Sequence, residues 1–460
     1  MIHRLSLVEM ASRARAGAVS SLELVNAHLD RIEAVNPHYN AFTMVLADQA
    51  RASAKRADQG LKVGPLHGVP VTVKDSFDVA GLPTRIGSYF TPDGPAGEDS
   101  AVVGRLRRAG AIILGKTNTP EFMAGYETDN YITGRSNNPW NVERTPGGSS
   151  GGEAAAIASG CSPGGVGTDG GGSIRVPAHF CGIAGLKPTP GRISLIGHQP
   201  SEASMGIGVA GPMARSVEDV RLLFQVLAGY DDRDPRSAPV EVRPARLKRA
   251  RIGVFETFYG SPVQPAVRRA VQDAATALAG LGFAVDEFQP LGLERAPNLW
   301  SFFFAELPAR HAKERIAGRE AEAHWIYTEN LEKLAERPQA SGWQVIEAVA
   351  ARDAMRQSLV EQMKDVPFLL MPVSSIVAFP HRERRFATES KAIGLFQAMM
   401  PATTFNLLGF PALTLPFAVD EQDMPVGVQI VARPWEEEAL LELGVALEAA
   451  RGAFSAPPEP

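Results

Sequence analysis

The chain reads as an α/β protein. Two observations predict this. The succession strand, helix, strand occurs twice, over 69–73, 101–110 and 111–115, and again over 251–256, 264–281 and 283–288. Strand-like runs then recur late, at 367–373, 411–417 and 426–432. Composition agrees: 460 residues, 45% hydrophobic and 21% charged, are enough to bury a core without staples.

The elements follow in order. Ser20-x-x-Glu23 is a capping box, and Leu22, Val25, Leu29 and Ile32 follow at helical spacing, so a helix begins there and is expected to stop near Asn36-Pro37. A second, Ala-rich helical pattern covers 46–58. The period changes at Val69, where an apolar run reads as a strand ending at Lys74-Asp75. Residues 134–152 read as loop, with a short helical run from Glu153 to Ala158. Glycine, 44 in the whole chain, is densest between Gly147 and Gly191, a density that suits tight turns and close approach rather than helix or strand interiors. Helix resumes at 215–229, and the Pro-, Asp- and Arg-rich stretch 230–250 is the best linker candidate. Residues 300–365 are mostly helical, and a last helix over 435–451 closes at Gly452.

Charge and cysteine exclude several function classes. Asp plus Glu is 51 and Lys plus Arg is 46, a formal charge of -5, so no basic excess draws the chain to nucleic acid or an anionic membrane. Cys161 and Cys181 are the only cysteines, too few for a disulfide scaffold, and they suit a reducing cytoplasm. The start lacks a continuous apolar stretch of signal-peptide type, and no run of about 18 apolar residues suggests a membrane span. The nine histidines show no metal-ligand spacing.

Three features could carry chemistry. Gly165-x-Gly167-x-x-Gly170 matches the dinucleotide fingerprint formally, but Cys161-Ser-Pro precedes it where an apolar strand is needed. Gly148-x-Ser150-x-Gly152 matches a nucleophile elbow, yet polar residues ending in Pro146 precede it, and nothing singles out His179, His198 or His381 as a partner. The third joins Lys74 at a strand end to two glycine-serine runs, 147–152 and 167–175. Glycines ending in serine can aim successive backbone N–H groups at one point, as an oxyanion requires. A serine hydroxyl needs a base, and lysine serves as one only when burial keeps it neutral. Each part alone reads blandly, as a strand end-cap or a loop; their joint occurrence is what points to catalysis.

The motifs then resemble those of a known family. PLHGVPVTVKD at 65–75, GGSSGGEAAAIASG at 147–160 and GVGTDGGGSIRVPAHFCGIAGLKPT at 165–189 are similar to the lysine motif and signature region of the amidase signature hydrolases. Matches at 98–122, 137–141, 406–416 and 425–431 extend the resemblance, and only about 290–400 lacks a matching pattern. The resemblance implies a single large α/β domain with a mixed sheet covered by helices on both faces, since the matches at 411–417 and 425–431 lie far along the chain yet belong to the same family pattern. It also implies that Lys74 is the general base, Ser149 a bridging serine held by a cis peptide bond, and Ser173 the acyl-forming nucleophile. The 24-residue separation of the two serines agrees with the family spacing. Gly170, Gly171 and Gly172 fall where oxyanion-hole amides lie. Gly170 replaces a residue often branched in relatives, which predicts a floppier loop with space beside the acyl group. Asp169 and Arg175 read as loop braces, and Met123 as either a pocket wall or core.

The implied reaction is hydrolysis of a small-molecule amide with no metal or organic cofactor, no nucleic acid and no membrane; a homodimer is compatible with the chain. The aromatic group Trp300, Phe302, Phe303, Phe304, Trp325 and Tyr327 suggests a hydrophobic or aryl acyl pocket, against the plainer reading that most of them are core. Two alternatives stand beside a free-standing amidase: the glutaminase component of a tRNA-dependent amidotransferase, and a catalytically silent binding module.

Overall fold

The computed structural model describes the chain except residues 201–205, 243–246, 248–249 and 336. Eleven strands form one sheet: β1 (Phe42–Val45), β2 (Pro70–Lys74), β3 (Ile112–Thr117), β4 (Gly164–Asp169), β5 (Ala184–Lys187), β6 (Val209–Ala214), β7 (Arg251–Val254), β8 (Ala284–Glu287), β9 (Phe368–Pro372), β12 (Ala412–Val419) and β13 (Pro425–Ala432). A separate two-stranded ribbon pairs β10 (Arg385–Ala387) with β11 (Ala392–Gly394). The order across the main sheet is β1-β3-β2-β4-β6-β5-β12-β13-β9-β7-β8. β2 runs parallel to both β3 and β4, β7 runs parallel to β8 and β9, and the pairs between β4 and β9 are antiparallel, so the sheet is mixed.

Helices cover the sheet, with Val217–Leu227, Pro265–Gly280 and Glu437–Arg451 burying apolar side chains against Val71, Val73, Val166, Leu413 and Val428. Strands on both sides of the 230–250 stretch belong to the same sheet, so the fold is a single domain. Part of that stretch lies outside the described residues. Among the described residues no helix is long and apolar enough to cross a membrane.

Three expectations need correction. The capped helix runs over Ser21–Tyr39, through Pro37. Pro37 sits in the final turn, where its missing N–H costs one hydrogen bond without ending the helix, and Asn40 ends the helix in a left-handed conformation with its N–H on Asn36 O. The helix after the first glycine run starts at Gly151 rather than Glu153. Most importantly, Gly164–Asp169 is a fully buried central strand, not a turn. Glycine is there because of what lies beside it: a Cβ on Gly165 would stand 2.2 Å from Glu153 Oε1 and 2.3 Å from Thr72 O. The strands β1, β5 and β6 and the helix Leu395–Leu407 had no signal in the residue pattern.

Candidate active site

β2 sends alternate side chains to opposite faces. Val71 and Val73 enter the main apolar core, while Thr72 and Lys74 point toward the helix Gly151–Ala158 and the loop before it. Lys74 is completely buried, with Nζ 2.7 Å from Ser149 Oγ and 2.8 Å from Thr168 Oγ1. Among the described residues no carboxylate comes within ion-pair distance of it. Burial therefore dominates and lowers its pKa to about 7, against the more distant charges of Asp169 and Glu153. Glu153 lies in the same buried layer, bonded by the hydroxyls of Thr72 and of Thr117, the latter at 2.7 Å. Burial pushes its carboxyl up to about 7 despite those hydrogen bonds.

Ser149 follows a cis Gly148–Ser149 bond and is 2% exposed. The next residue ties the two serine loops together, since the Ser150 N–H donates to Ser173 O at 3.1 Å. Ser150 itself is bonded through Oγ to the backbone of Thr168. Ser173 is partly exposed and lines a cavity of about 700 Å³ with Met123, Tyr126, Gly171, Trp300 and Phe304. The structure thus brings Lys74 and Ser149 into contact and sets Ser173 at the cavity. It brings no histidine to Ser150: His179 is buried with both ring nitrogens on backbone groups, of Ile376 and Gly427. The fingerprint-like glycines Gly165 and Gly167 lie inside β4, not at a strand-to-helix turn.

The loop from Asp169 to Arg175 is fixed from below. Asp169 accepts the N–H groups of Gly172 at 2.7 Å and Ile174 at 3.1 Å, and pairs with Arg175 at 3.0 Å. Burial opposes its charge, but Arg175, Lys187 and the Asn406 amide outweigh that and hold it below the ordinary carboxylate range. Arg175 also reaches Gln429 Oε1 and Ala402 O, each at 3.0 Å. Gly172 has φ +110°, and a Cβ there would meet that of Ala402 at 2.8 Å.

This geometry revises the glycine assignments. The Gly172 N–H is already taken by Asp169, whereas those of Gly170, Gly171 and Ser173 have no hydrogen-bond acceptor among the described residues, and of these three Gly171 and Ser173 line the cavity. Nor is the loop loose or open at Gly170. Trp300 Nε1 donates to Gly170 O at 2.7 Å and Tyr126 Oη donates to Gly171 O at 2.7 Å. The space beside Gly170 is filled by Phe304, whose ring would stand 2.6 Å from a Cβ there. Met123 lines the cavity and touches the base region, its Sδ 3.6 Å from Thr168 Oγ1. Sequence reasoning gave no role to Thr168, Glu153 or Tyr126. The first two lie inside the matched motifs, and Tyr126 had no signal.

A family model described as Amidase matches residues 23–441. The chain belongs to the amidase signature family. It is accordingly an amidohydrolase, an enzyme acting on small amides. Among curated relatives of the family, it is 36% identical to the A-type component of the glutamyl-tRNA(Gln) amidotransferase of Anaeromyxobacter sp. (strain K), covering 99% of this chain and 98% of that one. The corresponding protein of Chloroflexus aurantiacus is 33% identical over 97% and 96%. Solved amidase signature structures superpose closely. A 6-aminohexanoate cyclic dimer hydrolase in complex with its substrate matches with TM-score 0.86 and 30% identity over 98% and 97% of the two chains. A fatty acid amide hydrolase matches with TM-score 0.88 and 26% identity over 98% and 86%.

Proposed function

We propose that this amidohydrolase is a free-standing amidase that cleaves hydrophobic or aryl carboxamides through an acyl-enzyme on Ser173. The observation that carries the reading is the buried Lys74 amine, 2.7 Å from Ser149 Oγ and without an ion-pair partner among the described residues. A lysine so placed is neutral in a large fraction of molecules at neutral pH and acts as a base.

Neutral Lys74 accepts the hydroxyl proton of Ser149 as Ser149 accepts that of Ser173. The Ser173 oxygen bonds to the amide carbon, and the carbonyl electron pair moves onto oxygen, where the Gly171 and Ser173 N–H groups donate to it. As the C–N bond breaks, the proton held by Lys74 returns through Ser149 to the leaving nitrogen. The nitrogen then departs as neutral ammonia or amine, which amide cleavage requires because an amide anion leaves poorly. Water attacks the ester through the same relay, and Ser173 recovers its proton as the carboxylic acid leaves.

Substrate choice resides in the 290–400 segment, which supplies Trp300 and Phe304 to the cavity. Free glutamine carries an α-ammonium and an α-carboxylate that need charged partners. The cations of this cavity are already committed: Arg384 to Glu127 at 2.6 Å, Lys333 to Glu329 at 2.7 Å, and Arg337 to Glu306. This supports an apolar acyl group. The second reading, the glutaminase component of an amidotransferase, is favoured by the full-length identity to proteins of that kind.

Intact mass and peptide mapping after incubation with an alkyl fluorophosphonate test the chemistry. Stoichiometric labelling on Ser173, absent in Ser173→Ala, is the expected result. Ammonia release from 3-phenylpropanamide by the isolated chain supports the free amidase. Release from glutamine alone, and only with partner proteins, overturns it in favour of the second reading.

A further inference from the structure

We propose that Trp300 is a positioning residue for the oxyanion site, so that one side chain both walls the acyl cavity and sets the direction of a backbone donor. The inference rests on the Ser173 acyl-enzyme reading. The carbonyl of Gly170 and the N–H of Gly171 belong to one rigid peptide plane and point in opposite directions. Trp300 Nε1 holds that carbonyl at 2.7 Å, which fixes the direction of the Gly171 N–H. The next plane is fixed twice: Tyr126 Oη holds Gly171 O at 2.7 Å, and Asp169 Oδ1 holds the Gly172 N–H at 2.7 Å. Two consecutive glycine planes, mobile by nature, are thereby immobilised by side chains that reach them from different elements.

The Gly171 N–H is the end of these planes with no acceptor among the described residues, and it lies next to the cavity that Ser173 lines. An oxyanion donor acts through preorganisation, so a group that stops it from swinging contributes to the transition state rather than to binding. Closeness is built in as well, because a Cβ on Gly171 would stand 2.4 Å from Trp300 Cζ2. The indole is 8% exposed and stacks on Phe304 with centroids 4.8 Å apart and planes 16° from parallel. The ring is therefore held by its neighbour and not by the substrate.

The test uses the rate of phosphonylation by an alkyl fluorophosphonate, which needs no knowledge of the natural amide. The Ser173 oxygen bonds to phosphorus, fluoride leaves, the proton passes to the relay, and negative charge builds on the phosphoryl oxygen. Wild type, Trp300→Phe and Tyr126→Phe are compared for the limiting rate kinact and the half-saturating concentration KI. Both variants keep an aromatic ring; Tyr126→Phe loses only the hydroxyl donor, whereas Trp300→Phe loses the indole N–H together with part of the ring system that packs on Gly171 and Phe304. The expected result is a fall in kinact of about tenfold to a hundredfold, with KI within about threefold of wild type. Unchanged kinact, or a rise in KI alone, overturns the inference and leaves Trp300 as cavity wall only. Should Trp300→Phe fail to fold, 3-benzothienylalanine in place of Trp300, which keeps the bicyclic ring and replaces the N–H by sulfur, decides on the same readout. A wild type that is never labelled overturns the acyl-enzyme reading and this inference with it, whereas a labelled wild type with unaffected variants overturns the inference alone.

Discussion

Two buried lysines stand on neighbouring strands, and their surroundings give them different work. Lys116 on β3 has Asp75 Oδ1 at 2.7 Å and further acceptors at Pro83 O and Thr84 Oγ1, so it is an ion-pair member. Among the described residues, Lys74 on β2 bonds only hydroxyls, of Ser149 and Thr168. A hydroxyl stabilises an ammonium far less than a carboxylate does, so burial prevails and the amine pKa falls to about 7. The proposed relay needs the neutral form. Below that pH the log of kcat/KM is expected to climb with pH at a slope near one, and above it to level off, with an apparent pKa close to 7. Initial rates across pH on wild type check this, and a limb near the ordinary lysine value would remove Lys74 from the role of base. The identity of Lys74 was legible from its place at the end of an apolar run. Its lack of a carboxylate partner was not, because Asp75 is its immediate neighbour in sequence and yet faces Lys116.

At the scale of elements, the segment after Trp300 decides the shape of the cavity. The helix Ala296–Ser301 continues into a π-helical turn, Phe302–Glu306, which changes the facing of every residue that follows. Phe303 enters the core completely, while Phe304 turns to stack on Trp300 and fill the space beside Gly170. The sequence showed an aromatic cluster on helices, but a period of 3.6 does not separate wall from core across a π turn. Tyr327 illustrates the same limit: it borders the cavity yet is mostly buried, packing on Phe122 with centroids 4.7 Å apart. The fit of Gly170 to Phe304 makes a paired prediction. Gly170→Val forces its side chain onto the ring and is expected to cost about 1–3 kcal/mol, as overpacking does. Phe304→Ala in the same chain relieves most of that cost. Urea unfolding of the two single variants and the double variant measures the coupling, and strict additivity would show that the contact is not the cause.

Across the molecule, the serine loop is held by residues that arrive from the far end of the chain. Arg175 neutralises Asp169 and bonds Ala402, Asn406 and Gln429. Arg175→Met leaves the Asp169 carboxylate buried without its cation. The expected loss is roughly 3–5 kcal/mol, read as a lower urea midpoint, together with loss of fluorophosphonate labelling. An unchanged midpoint would mean that the network does not brace the loop. The late strands β12 and β13 were readable from their apolar runs, and the single domain followed from their place in the family pattern. The central strand β4 was not, because its glycines make room for Glu153 and for backbone of β2 and so imitate a turn in sequence.

The strand order carries a consequence for a chain still being made. β12 pairs with β5 and β13 with β9, so these two late strands fill the middle of the sheet. Until residues 412–432 leave the ribosome, the first nine strands can only form two separate sheets, β1-β3-β2-β4-β6-β5 and β9-β7-β8. Every residue of the proposed relay has by then been synthesised, but Arg175 still lacks Gln429. The loop of the proposed nucleophile is thus fully braced only after more than nine-tenths of the chain has been made, and a prematurely terminated product carries the motif without the brace that holds it in shape.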